Sequence, residues 1–171
     1  MRPIAARPLE RSAFAPFGTV IDTSGTTPEA INEGTTKRYP DLARLDLRGG
    51  GGDAIVGIYV AGARAFPLRL GALERHREAA QVFIPLGLQR FVVVVAPGAG
   101  APDWERLSAF VTAPGQGVSV KRGCWHHGLV ALGDGDRFAV IEGANYRADS
   151  EIAVAPRAFE LAAPSFQLGG T

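Results

Sequence analysis

Along this chain, short apolar runs alternate with polar, turn-rich ones, and almost nothing recurs at the three-to-four-residue period of an amphipathic helix. Residues 90–96 read RFVVVVA, β-branched almost throughout, which is the pattern of a strand buried on both faces. Residues 54–61, AIVGIYVA, form a second continuous apolar run and predict another buried strand. Residues 81–86 predict a strand that stops at Pro85, and residues 117–121 alternate cleanly, as a half-buried strand does. Further strands are expected over 19–22, 66–70, 109–112 and 137–142, with a strand end at 45–47. Helix is confined to a turn over 12–17, with Ser12 as its cap, and to one turn within 103–110. Residues 31–45 fit neither period and read as an irregular segment. Some eight to eleven strands with so little helix predict an all-β barrel or sandwich.

Composition sharpens that picture. The 22 glycines and 12 prolines are scattered, as many tight turns require. The four glycines at 49–52 read as a flexible turn, because no Gly-Lys-Ser/Thr follows to make a phosphate loop. A length of 171 residues suits one domain over 1–171, with the tail 145–171 wrapping the barrel. A net charge of +1 gives no general surface for nucleic acid. One cysteine permits neither an internal disulfide nor a cysteine zinc site. No signal-like leader and no apolar run of ~20 residues points to the membrane, so a cytoplasmic protein is expected.

Chemistry concentrates in two places. Residues 115–129, GQGVSVKRGCWHHGL, carry two of the three histidines, the single cysteine and a Lys–Arg pair between apolar strands. His126 and His127 point to opposite faces of a strand, so one of them lines an interior. The second place is the run Glu74-Arg75-His76-Arg77-Glu78 followed by Gln81, where His76 and Glu78 share a face if one strand holds both. A buried His, Glu and Gln patch is costly without a ligand to satisfy it. Lys121, Arg38 and Arg90 are candidate anion ligands. Cys124 reads as a small buried residue.

The same residues carry a resemblance. His76, Glu78 and Gln81, then Gly123-Cys124-Trp125-His126, look like the two metal motifs of the cupin barrel, but with Glu78 in place of a second histidine, Gln81 in place of the acid and Lys121 in place of a proline. Nine stretches resemble the ureidoglycolate lyase family in order: 31–34, 37–39, 41–43, 73–76, 81–85, 91–96, 109–110, 116–118 and 125–127, within roughly 14–142. Gly143 stands where many members have an arginine, and the tail after Asn145 carries no likeness. The resemblance implies a cupin-like β-barrel of the jelly-roll type, commonly a homodimer, that splits ureidoglycolate into glyoxylate and urea late in allantoin degradation. It implies His76 and His126 as the acid–base pair, and Arg38, Tyr39, Gln81, Lys121 and Trp125 as substrate-binding residues. No cofactor is strictly required, although a divalent metal on His76, Gln81 and His126 would serve as a Lewis acid. A metal-dependent oxygenase or isomerase, and a non-catalytic binding or regulatory cupin, are the alternatives.

Overall fold

The computed structural model describes residues 3–47 and 53–165, so the glycine run at 49–52 lies outside the described residues. In chain order the strands of the two main sheets are β1 (Ala6–Pro8), β2 (Gly18–Ile21), β5 (Ala54–Ala61), β6 (Leu68–His76), β7 (Gln81–Pro85), β8 (Phe91–Ala96), β9 (Ser108–Val111), β10 (Gly117–Val120), β11 (Trp125–His126), β12 (Val130–Ala131), β13 (Asp136–Gly143) and β14 (Ser150–Leu161). One sheet runs β1-β9-β8-β11-β6-β14, with β12 also on β8, and the other runs β2-β10-β7-β13-β5. A separate hairpin joins β3 (Glu29–Ile31) to β4 (Thr36–Arg38). Two four-residue helices, α1 (Arg11–Phe14) and α2 (Tyr146–Asp149), complete an all-β barrel of two sheets.

The valine run explains the centre of the fold. Phe91, Val93 and Val95 of β8 pack between the sheets with Phe83, Phe110, Val118, Phe138 and Val140. Val92 and Val94 face the other way, into a second cluster with Leu68, Leu70, Phe159 and Leu161. Each such side chain contributes about 1.5–3 kcal/mol of burial, so β8 anchors two cores at once. Where β10 meets β7 the chains are so close that a Cβ on Gly117 would stand 2.8 Å from the Phe83 carbonyl oxygen.

Several expectations need correction. Residues 54–61 do form a strand, but an exposed one. β5 pairs only with β13 at the sheet edge, and Val56, Ile58 and Val60 point outward, with Val56 and Val60 each 69% exposed. β6 runs nine residues and ends at His76, so Glu78 is off the strand. Residues 31–45 begin with a true hairpin, whose turn takes Asn32, Glu33 and Gly34 through φ of 51°, 58° and 84°. Residues 45–47 are not a strand, and α1 starts with Glu10, not Ser12, at its boundary. The tail does not merely wrap the barrel: β14 is a full edge strand on β6, broken by a register shift between Val154 and Phe159.

Candidate active site

The ends of β6, β7, β11 and β13 converge on one polar cluster inside an otherwise apolar barrel. Glu74 and His76 are two apart on β6 and therefore share a face. His126 of β11 stands directly opposite Glu74 in the ladder. Gln81 opens β7, and Glu142 lies one step beyond the Val82–Ile141 pair on the neighbouring β13. A cavity of about 450 Å³ opens on this cluster, lined among others by Tyr59, Glu74, His76, Gln81, Glu142 and Arg147. Among the described residues, Arg147 is the one cationic side chain on its wall.

His76 is the anomaly of the site. It is buried, and neither ring nitrogen has a hydrogen-bond partner. A buried polar atom left unpaired costs about 1–3 kcal/mol, and native proteins rarely leave both nitrogens of one ring in that state. The ring lies 5.7 Å from that of His126, centroid to centroid, tilted by 43°. One ligand atom from each of Glu74, His76 and His126 lies within 4.8 Å of the others, which is the spacing of a small cation site. His76 thus sets an unpaired nitrogen within reach of Glu74 and His126.

His126 differs, because its Nδ1 has a partner and its Nε2 faces another side chain. Nδ1 lies 3.0 Å from the Cys124 carbonyl, which can only accept, so Nδ1 carries the proton. Nε2 lies 3.0 Å from the Gln81 amide oxygen, while the Gln81 NH₂ donates to Glu142 at 2.8 Å. Tyr59 donates to the other Glu142 oxygen at 3.4 Å. Burial pulls the His126 pKa down to about 4, which outweighs the backbone hydrogen bond to Cys124 and is reinforced by the charges of His76 and His127. The ring is therefore neutral at neutral pH, and the 3.7 Å approach of Nε2 to Glu74 is not an ion pair there. A neutral ring presents a lone pair at Nε2. A cation beside Glu74 and His76 would satisfy that lone pair, whereas turning the Gln81 amide over would set its oxygen against the Glu142 carboxylate. Burial, then the Glu142 charge, pushes the Tyr59 phenol up to about 12, so it stays a donor.

A family model described as ureidoglycolate lyase matches residues 1–162. The chain belongs to the ureidoglycolate lyase family. A relative named ureidoglycolate lyase from Burkholderia mallei is 44% identical over 142 residues, 83% of each chain. One of the same name from Azotobacter vinelandii is also 44% identical, covering 83% of this chain and 86% of that one. A third, from Pseudomonas savastanoi pv. phaseolicola, is 41% identical over 162 residues, 90% of this chain and 95% of its own. Among solved structures, the rmlC epimerase of Mycobacterium tuberculosis aligns with a TM-score of 0.45 at 17% identity, over 78% of this chain and 71% of that one.

Within this member of the ureidoglycolate lyase family, the structure brings His76, Gln81 and His126 together. The acid beside them is Glu74. Glu78 is exposed and accepts from Asn145 at 2.6 Å. Four expected substrate contacts do not reach the cavity. Trp125 is buried on the far side of β11, with its indole N–H donating to the Gly100 carbonyl and the Arg75 guanidinium 4.4 Å over its ring. Lys121 follows the end of β10 and lines two other clefts. Arg38 lies exposed on the β3–β4 hairpin, 3.9 Å from Glu29, and Tyr39 follows it just beyond β4. Glu74, Glu142, Tyr59 and Arg147 are the residues that sequence reasoning missed. Glu142 had a signal, an acid closing the apolar strand RFAVIE, whereas Arg147 had none. Cys124 is buried in the main core, where burial pushes its thiol up to about 12, and it is no nucleophile. At Gly143, a Cβ would come within 2.9 Å of Ala79 and 3.2 Å of Asn145, so an arginine there needs a locally different backbone.

Proposed function

We propose that this chain is a ureidoglycolate lyase that splits ureidoglycolate into glyoxylate and urea in purine degradation. The observation that carries the reading is His76, buried with two open nitrogens on the wall of a polar cavity, in a chain of this family. Ureidoglycolate is a carbinolamide with a carboxylate. Its hydroxyl must lose a proton as the carbonyl forms, and the C–N bonding pair must leave on the urea nitrogen, which gains a proton. The proton count closes without water or an oxidant.

His76 suits the proton transfer: it takes the hydroxyl proton and returns it to the departing nitrogen. His126 is neutral at working pH, with its proton on Nδ1 toward Cys124, so it is not the donor and offers its Nε2 lone pair to the site. Arg147 is the carboxylate anchor, in the role the sequence reading gave to Arg38 and Lys121. Glu142 and the Gln81 amide orient the urea group by accepting and donating hydrogen bonds.

The same atoms fit a divalent metal. Glu74, His76 and His126 would hold it, one donor each, so Glu74 takes the place expected of Gln81, whose oxygen lies close by. Such an ion would polarise a substrate oxygen as a Lewis acid. The open nitrogens of His76 are the observation that favours this second reading.

The decisive test is turnover of racemic ureidoglycolate by the purified protein against a no-enzyme control, with His76→Ala as comparison and circular dichroism as the fold check. Urea release at the spontaneous rate by the wild-type chain would sink the reading. A homodimer is supported by the apolar edge of β5 and by Ile152 and Val154 of β14, exposed by 67% and 78%. Tyr59 and Ile152 also line the cavity, so a second copy on this edge would narrow its mouth. A cytoplasmic location agrees with the single buried cysteine. Among the described residues, no helix is long and apolar enough to cross a membrane.

A further inference from the structure

Behind the active site, on the other side of β6, the structure assembles a second polar region that the proposed reaction does not use. Arg75, Arg77, Lys121 and Arg122 line one cleft of about 450 Å³. Arg106 and Lys121 line an adjoining cleft of about 340 Å³, whose remaining wall is Pro16, Phe17, Ala96 and Cys124 among others. The two clefts share Lys121 and Gly123, and no carboxylate lines either one.

The charge here is out of proportion to the chain. The whole protein carries a net charge of +1, yet five cationic side chains meet in this groove. The carboxylates paired with them are two. Glu151 serves both Arg75 and Arg77 through a single oxygen, at 2.8 and 2.5 Å, and Asp46 pairs with Arg122 at 2.8 Å. Among the described residues, Lys121 and Arg106 have no ion pair. The carbonyls that would repel an anion are already taken: Ala99 accepts from Arg75 at 2.7 Å and Gly100 accepts from Trp125. Arg75 is almost fully buried and held on three sides, by Glu151, by Ala99 and by the Trp125 ring. Arg77, Lys121 and Arg122 stand exposed around this fixed guanidinium.

We propose that this groove is a binding site for a small organic anion that carries at least two negative charges and one compact apolar part. Arg77, Lys121 and Arg122 take the charged end, and Pro16 and Pro97, on the wall of the adjoining cleft, take the apolar end. Phosphate esters and polycarboxylates share the needed chemistry, and guanidinium forks accept both. The site lies one hydrogen bond from the active cavity: the Gly123 N–H donates to the His76 carbonyl at 2.5 Å.

Isothermal titration at matched ionic strength, with inorganic pyrophosphate, citrate and p-nitrophenyl phosphate as probes, tests the assignment without reference to turnover. The expected result is one saturable site per chain for at least one probe, with Kd of about 1 mM or tighter. The doubly reversed variant Lys121→Glu/Arg122→Glu should weaken it about tenfold or more, while Arg147→Gln in the active cavity and Arg69→Glu elsewhere on β6 leave it intact. Comparing pyrophosphate with citrate separates a phosphoryl from a carboxylate ligand, and the nitrophenyl ester reports the apolar part. No saturable binding of any probe, or binding abolished by Arg147→Gln, or loss equal in Arg69→Glu, would each overturn the assignment.

Discussion

Acid should destabilise this protein through one identifiable ring. His126 is wholly buried, and burial holds its pKa at about 4 against an ordinary 6.5. Below pH 6.5 the unfolded chain protonates this imidazole, while the folded chain resists until about pH 4. The unfolded state therefore binds more protons across that window, and stability rises with pH within it. The contribution is fully present above pH 6.5, is lost as pH falls from 6.5 to 4, and changes no further below that. A gap of this width corresponds to roughly 3 kcal/mol, a large share of a typical net stability of about 5–15 kcal/mol. Chemical denaturation from pH 4 to 7.5, at one fixed protein concentration, measures it. Carboxylates such as Asp22, which hydrogen bonds from Gln116 and Ser24 and the Arg11 charge hold below their usual range against the opposing effect of burial, lose their own contribution as pH falls. The informative quantity is therefore the difference from His126→Gln. The wild-type chain should lose about 2–3 kcal/mol more than the variant across the window. Parallel pH curves for the two proteins would refute the buried, neutral assignment.

Four further outcomes are expected. Arg147→Gln should raise KM for ureidoglycolate about tenfold or more with a smaller effect on kcat, because a charge-assisted hydrogen bond is worth about 1.5–3 kcal/mol, and steady-state kinetics separates the two. Trp125→Phe removes the hydrogen bond to Gly100 and should cost about 1 kcal/mol of stability while turnover is retained, since the indole does not face the cavity. Gly117→Ala drives a methyl to 2.8 Å from the Phe83 carbonyl and should cost about 1–3 kcal/mol in the same denaturation assay. If Glu74, His76 and His126 hold a functional metal, chelation followed by elemental analysis should remove about one ion per chain together with activity, and His76→Ala should purify without it.

The strands were legible where their pattern reported the environment directly. β8 shows an unbroken valine run because it faces two cores, and β7 stops at Pro85 because proline cannot continue the ladder. β5 misled for a related reason: its apolar run reads as burial, yet it ends the sheet with one face uncovered, and pattern alone cannot tell a core from a bare edge. In the site, His76, Gln81 and His126 were legible because polar residues inside apolar strands stand out. Glu74 was passed over for Glu78, since everything depended on β6 ending at His76. Arg147 was invisible, because it reaches the cavity only through the return of β14 onto β6. Lys121 and Trp125 misled through their closeness in sequence to His126: a turn at Gly123, with φ of 74°, parts Lys121 from it, and strand alternation on β11 turns Trp125 to the opposite face.

The strand order carries a further consequence, for synthesis of the chain. In the two main sheets, β1, β2, β5, β6, β7 and β8 pair only with strands from β9 to β14, and no two strands of either group pair with each other. A ribosome that has delivered the first ~100 residues has therefore produced none of the main ladders, and the Phe91–Ala96 run emerges before any partner exists to cover it. Folding must wait for the second half, and premature termination should yield an aggregating fragment, since an exposed β-branched run is a ready template for intermolecular pairing. The same arrangement makes the turn after Ala96 a natural place to divide the gene: two halves, each unable to build either main sheet alone, would be obliged to find one another.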